Sequence, residues 1–393
     1  MASERRLTDR TSAHLDMIRG ISAIAVLVYH LRGLFFVDFP FLSRKTVLST
    51  ALYGATSYGH QAVIIFFVLS GYFISTSVIG SVREATWSWR TYLVSRLTRL
   101  QLVLFPALLL GAMWDRIGMK IAQASPLYYD ALYKFNGPSV ALRSTVPVFL
   151  GNLFFLQGIA SPVFGSNGPL WSLSYEFWYY VLFPLLFLTF VSATSARLRI
   201  FYSLLGLAIV WFIGLQISFY FLIWLAGVVA GVLARGLPLK GAIPGGSTVC
   251  GLVFVSSLVW CRIRPLASDL ATDCIVGLCF AAWLLSLLLG SRRDVSRAYS
   301  SLAKKLAGFS YTLYLTHFPL LLLLRGLINP HGSWQPDRLH VALAFVIGLS
   351  ALSYAHAVAE VTEGRTAEAR RALLRLFALR QPRDASEVQA KVN

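Results

Sequence analysis

Apolar residues fall in long runs along this chain, separated by short basic or polar joints, rather than in alternating or one-faced patterns. A hydrocarbon core of ~30 Å takes about 20 helical residues to cross. Ten runs are long enough, or nearly so: 17–36, 57–79, 99–115, 169–191, 200–215, 217–235, 246–262, 271–290, 306–328 and 339–359. The fifth and sixth almost merge around Gln216, so their boundary stays open. A shorter run, 146–158, is broken by Gly151 and Asn152 and reads as a re-entrant or interfacial piece. The pattern predicts an all-α, polytopic membrane protein with about ten transmembrane helices.

Composition agrees. The chain is 56% hydrophobic and only 13% charged, against about 25% charged residues in soluble domains. A formal net charge of +18 would suggest nucleic acid in a soluble protein. Here most of the 35 basic residues sit on alternate joints. They include Arg5, Arg6 and Arg10 before the first run, Arg83 and Arg90 after the second, Arg197 and Arg199, Lys240, Arg292 and Arg293, and the tail after residue 363. The positive-inside rule then places both termini in the cytoplasm, and the partner of this charge is membrane lipid rather than nucleic acid. The first run lacks a small-residue cleavage site and is expected to stay as a helix. Cys250, Cys261, Cys274 and Cys279 read as small buried hydrophobes. Residues 1–14 form a cytoplasmic N-terminus, 15–362 the transmembrane domain, and 363–393 a basic, amphipathic tail on the inner surface. The longest joint, 116–168, lies outside on this map and is expected to be a binding loop or lid.

Few ionisable side chains interrupt the runs, and each costs at least ~2.5–3.5 kcal/mol at the centre of a span. Arg19 and His30 are eleven residues apart on the first span, within about 20° of one face and about 16 Å apart along the axis. Snorkelling to opposite interfaces is the structural alternative. Arg96 and Arg99 share one face at the cytoplasmic end of the third span. Guanidinium forks of this kind match phosphate oxygens, although positive-inside anchoring also explains the pair. Glu176 is the lone carboxylate of the fourth span. At an outer depth similar to that of His30 it would act as the carboxylate that orients an imidazole base. Trp171 and Tyr175 around it, and Tyr314 and His317 on the Pro319-containing ninth span, are expected to line the substrate's path. No metal site is expected. The small residues of Phe66–Phe73 suit a close helix approach.

These motifs, in this order, resemble the bacterial membrane acyltransferase-3 family. Leu15-Asp16-x-x-Arg19-Gly20 through His30 is similar to its R-x10-H signature. Phe67-Val68-Leu69-Ser70-Gly71-Tyr72, Arg96-x-x-Arg99, Trp171-Ser172-Leu173-Ser174-Tyr175-Glu176 and Tyr311-x-x-Tyr314-Leu315-x-His317-Phe318-Pro319 follow. The resemblance spans roughly residues 14–362. It implies an O-acyltransferase of the bacterial cytoplasmic (inner) membrane. Such an enzyme moves an acyl group, usually acetyl, from acyl-CoA to a hydroxyl of a cell-envelope glycan or glycolipid. It also implies a catalytic His30, with Arg19, Arg96 and Arg99 serving the coenzyme, and no permanently bound cofactor. Glu360-Val361-Thr362-Glu363-Gly364 stands where many members have Glu-Pro, a departure with no evident consequence. The rival reading is a transporter or flippase for an anionic or glycan substrate, using the same buried Arg, His and Glu as a permeation path.

Overall fold

A computed structural model describes residues 9–121, 126–129, 139–191, 194–236, 245–264, 268–290 and 295–379. Of the residues named above, Arg5, Arg6, Lys240, Arg292, Arg293 and the tail beyond 379 lie outside the described residues. The helices in chain order are α1 (Asp9–Phe35), α2 (Val47–Ala55), α3 (Gly59–Arg83), α4 (Trp89–Ile121), α5 (Pro126–Tyr129), α6 (Val140–Arg143), α7 (Val146–Leu153) and α8 (Trp171–Thr189). They continue with α9 (Ala196–Gly236), α10 (Gly246–Ile263), α11 (Asp269–Leu289), α12 (Arg297–Gly308), α13 (Ser310–Ile328), α14 (Arg338–Val361) and α15 (Thr366–Leu379). Among the described residues there is no β-strand.

Among the described residues, eight helices are long and apolar enough to cross a membrane, with α9 counted once. At 41 residues α9 would extend about 60 Å if straight, twice the hydrocarbon thickness. It breaks at Gly214, whose φ of 78° and ψ of 170° are not helical. Residues on both sides of the break then meet α8: Gly206 lies against Leu182 and Leu186, while Trp224 packs on Phe183. The run therefore folds back on itself, at Gly214 rather than at Gln216. Helix α8 is not among the eight because its first turns carry Ser172, Ser174, Tyr175 and Glu176.

Close packing of α3 on α9 explains two glycines. A Cβ at Gly71 would stand 2.0 Å from the Trp224 carbonyl oxygen, and one at Gly227 would stand 1.8 Å from that of Val68. Backbone meets backbone at this crossing, which is how small residues hold membrane helices together.

The long joint does not simply stand outside, as expected from its length. Helix α4 continues to Ile121, and the chain then re-enters the bundle. The Gly165 amide donates to the Arg143 carbonyl where the segment enters and leaves (3.1 Å). Between them α7 descends along α4, with Phe149 on Phe105 and the Leu153 carbonyl accepting from Gln101 Nε2 at 2.7 Å. Irregular backbone at this depth needs internal partners. Asn152 supplies them to Val148, Pro162 and Phe164, Gln157 to Leu170, and the buried Asp115 carboxylate accepts from the Ser166 amide at 2.8 Å. The expectation of a re-entrant piece at 146–158 matches this path.

Helices α12 and α15 are short and amphipathic, with α12 packed on α1 and α15 on α4. At the other end of α1, buried Arg325 donates to the carbonyls of Leu34 and Gly332 and ties α13 to α1.

Candidate functional site

A cavity opens between α1, α3, α4, α8 and α13. Arg19, Arg96 and Arg99 line it, together with Glu176, Tyr180, Ser70, Ser172, Ser310, Tyr311 and Tyr314. The periodicity that buries α1 also turns Arg19 inward, and α4 adds Arg96 and Arg99 one turn apart. Arg19 reaches Asp16 at 3.8 Å. Arg96 donates to Ser77 (2.9 Å), lies over the Tyr92 ring, and keeps Nε buried without a partner. Arg99 sits in the field of Arg19, Glu176 and Glu363. Three guanidinium groups thus stand among three carboxylates, Asp16, Glu176 and Glu363, and their forks match the oxygens of a polyanion.

Glu363 belongs to this constellation, and no sequence argument singled it out. Its Oε2 accepts from both the amide and the hydroxyl of Thr312 at 3.0 Å, capping the first turn of α13. A domain boundary at 362 therefore cuts off a residue of the cavity's own framework. The signal was an acidic residue just after a span whose neighbours are basic.

Ser310, Tyr311 and Tyr314 of α13 form one wall of the cavity. Tyr314 Oη donates to the Pro169 carbonyl at 2.8 Å, so the Ser172 hydroxyl, also at 2.8 Å, donates to Tyr314. One turn further along α13 stands His317, fully buried. Its Nδ1 faces the Leu313 carbonyl at 2.8 Å, and its Nε2 faces His30 Nδ1 at 3.0 Å. With both rings neutral, these contacts fix both tautomers. A carbonyl only accepts, so His317 Nδ1 carries the proton and its Nε2 is a lone pair. His30 Nδ1 must then donate to that lone pair, which leaves His30 Nε2 unprotonated. Phe318 packs edge-on against the His30 ring. A bare imidazole nitrogen backed by a second imidazole is a base or nucleophile held in one orientation.

Arg19, Arg96 and Arg99 are brought together, and His30 is brought to His317. Glu176 is not brought to His30. It accepts from Tyr180 and faces Arg19 and Arg99 instead. The reason is where α8 begins. The re-entrant segment delivers Trp171 into the bundle beside Tyr314, and by Tyr180 the helix is level with the first turn of α4, since Tyr92 Oη donates to the Tyr180 carbonyl at 2.8 Å. Glu176, one turn earlier, falls at the depth of Arg99. Trp171 stacks on His60, and Tyr175 packs between Phe67, Tyr179 and Tyr220, away from the cavity lining. Tyr314 lines the cavity, and His317 lies just beyond it.

A second histidine cluster escaped the sequence reading. His60 Nε2 and Tyr220 Oη both contact Asp273 Oδ2 at 2.7 Å. Asp273 is a carboxylate inside the apolar run 271–290, the same signal that marked Glu176. Among the described residues no group of three His, Cys, Asp or Glu side chains is arranged to hold a metal ion.

A family model described as an acyltransferase domain, Acyl_transf_3, matches residues 12–355, nearly the whole described bundle. No curated protein and no solved structure matches the chain.

Proposed function

The chain belongs to the acyltransferase-3 family, and from that premise we propose that this multi-pass membrane acyltransferase moves an acyl group from cytosolic acyl-CoA to a hydroxyl of an extracytoplasmic or lipid-linked glycan. The acyl group is acetyl in the simplest case, and the membrane is the cytoplasmic membrane of a bacterium. The observation that carries the reading is the His30–His317 pair, 3.0 Å apart and one turn along α13 from Tyr314, which lines a cavity together with Arg19, Arg96 and Arg99.

The nucleotide phosphates of the donor pair with Arg96 and Arg99, where bidentate hydrogen bonds are strongest. Its pantetheine arm runs past Arg19 and Ser70 toward Tyr314 and brings the thioester to the histidines. His30 Nε2 then accepts either the proton of the acceptor hydroxyl or the acyl group itself. Both roles put positive charge on the His30 ring, and the His317 lone pair at Nδ1–H stabilises that charge. General-base catalysis of this type contributes typically ~10²–10⁴-fold. The aromatic side chains of Trp171 and Tyr314 flank the acceptor's approach.

Membranes containing the protein, supplied with acetyl-CoA labelled in its acetyl carbon, test the reading. Label enters the envelope glycan fraction with the wild type and is absent with His30→Ala. Equal label in both removes His30 from the chemistry, whereas substrate accumulation without consumption of acetyl-CoA would identify a transporter.

A further inference from the structure

His60 is the second residue of α3, and its ring is fixed by Asp273 of α11. Asp273 is 1% exposed and accepts from Tyr220 Oη through the oxygen that His60 contacts. A carboxylate that already takes one hydroxyl proton can only accept from the imidazole. His60 Nε2 therefore carries the proton, and Nδ1 of the neutral ring is bare. The imidazole side chain keeps 39% of its surface accessible while its partner is almost completely shielded. A base oriented by a buried carboxylate, with its other nitrogen reachable, is the arrangement that proton abstraction requires.

Its position relates it to the site above. Phe67 lines the cavity and lies seven residues further along α3, hence within about 20° of the same face and about 10 Å along the axis. His60 therefore lies on the face of α3 that carries Phe67, beyond the cavity lining. The level matches that of His30. Gly59 packs directly on Tyr29, and a Cβ there would stand 2.5 Å from the Tyr29 ring. His60 follows one member of this contact and His30 the other. Two helices thus present two bare imidazole nitrogens at one depth, the buried one in the ring packed between His317 and Phe318 and the accessible one in the ring beside Trp171.

Direct transfer from thioester to hydroxyl needs a single proton acceptor. We propose that transfer instead proceeds in two steps, with His30 carrying the acyl group and His60 acting as the base for the acceptor; this rests on the acyl-transfer reading. In the first step His30 Nε2 attacks the thioester carbonyl. A C–N bond forms, the C–S bond breaks with its electron pair on sulfur, the acyl-imidazolium keeps its Nδ1–H bond to His317, and the thiolate takes a proton from solvent as CoA thiol. In the second, the acceptor oxygen attacks the acyl carbon and gives its proton to His60 Nδ1. The C–O bond forms, the C–N pair returns to His30 Nε2 and leaves the ring neutral with Nδ1–H in place, and the proton taken by His60 passes to solvent. Asp273 and Tyr220 are positioning residues that hold the His60 tautomer.

The test uses membranes of the source cell with its own copy replaced by each variant, labelled acetyl-CoA as donor, and two nucleophiles. One is the endogenous envelope glycan, whose hydroxyl needs a base; the other is added hydroxylamine, which does not. His60→Gln and Asp273→Asn are expected to lower glycan labelling about 100-fold, to accumulate labelled acyl-protein, and to keep CoA release driven by hydroxylamine. Wild-type glycan labelling in His60→Gln overturns the proposal. So does a parallel loss with both nucleophiles, which would mark the cluster as a structural tie between α3 and α11. If wild-type membranes neither label glycan nor release CoA, the acyl-transfer reading itself fails, and the His60 role falls with it.

Discussion

Replacing His317 with leucine removes the acceptor of the His30 Nδ1 proton and leaves a side chain of similar size in a fully buried position. In the resting enzyme the 3.0 Å contact joins two neutral rings and contributes little. Once Nε2 has taken a proton or an acyl group, the same contact becomes a hydrogen bond from a cation. Such bonds are worth about 1.5–3 kcal/mol, and at about 1.36 kcal/mol per decade their loss slows the reaction roughly 10- to 150-fold. Because the strengthening occurs only as charge develops, kcat and kcat/KM for acyl-CoA fall together. His317→Gln retains an oxygen acceptor and recovers part of the rate. The assay is initial-rate release of CoA thiol from acetyl-CoA, normalised to the amount of protein in the membrane. An unchanged kcat in His317→Leu, or a rise in KM alone, would refute the imidazole relay.

Arg99→Ala is expected to raise KM for acyl-CoA by roughly 10- to 100-fold with little change in kcat, since it removes charge-assisted bonds to the phosphates; an unchanged KM would exclude the cavity as the nucleotide site. Gly227→Ala forces a Cβ to 1.8 Å from the Val68 carbonyl oxygen and 3.0 Å from the Tyr72 amide. With backbone on both sides it costs at least ~1–3 kcal/mol and lowers Tm and membrane accumulation, whereas Gly348→Ala, with nothing within 4 Å, does not. Asp337 caps α14 through the His340 amide and also contacts the His340 ring, bonds that hold its exposed carboxyl below the usual carboxylate range. A depressed folded pKa stabilises above the unfolded value and is lost as pH falls through the folded one. The protection factors of amides in the first turn of α14, that is, intrinsic pH-dependent exchange rates divided by the observed rates, should therefore be constant above about pH 4 and fall only below it, and Asp337→Ala should abolish that dependence.

The apolar runs marked the helices because hydrocarbon leaves so few alternatives. A span must be apolar outside and must satisfy its own backbone, so length and composition suffice to locate it. The same cost made the interrupting residues conspicuous: Arg19, Arg99, His30 and His317 all face the interior of the bundle. The partners were less legible. His30 was expected to meet Glu176 because both looked outward on a map of straight spans. The depth of Glu176 depends on where α8 starts, and that is decided by a re-entrant segment anchored through Asp115, Asn152 and Gln157. Its irregular backbone has no periodicity to read. Glu363 and the pair of His60 and Asp273 lie far apart in the chain from the groups they contact, 51 and 213 residues respectively. Composition by itself determined that this chain crosses a membrane many times and which of its polar side chains must face inward, because solvation in hydrocarbon is a local property of each residue. Which of those side chains share a depth and a face was decided only by the packing of helices distant in sequence, because a hydrogen bond at 3 Å is a property of two positions that no local pattern records.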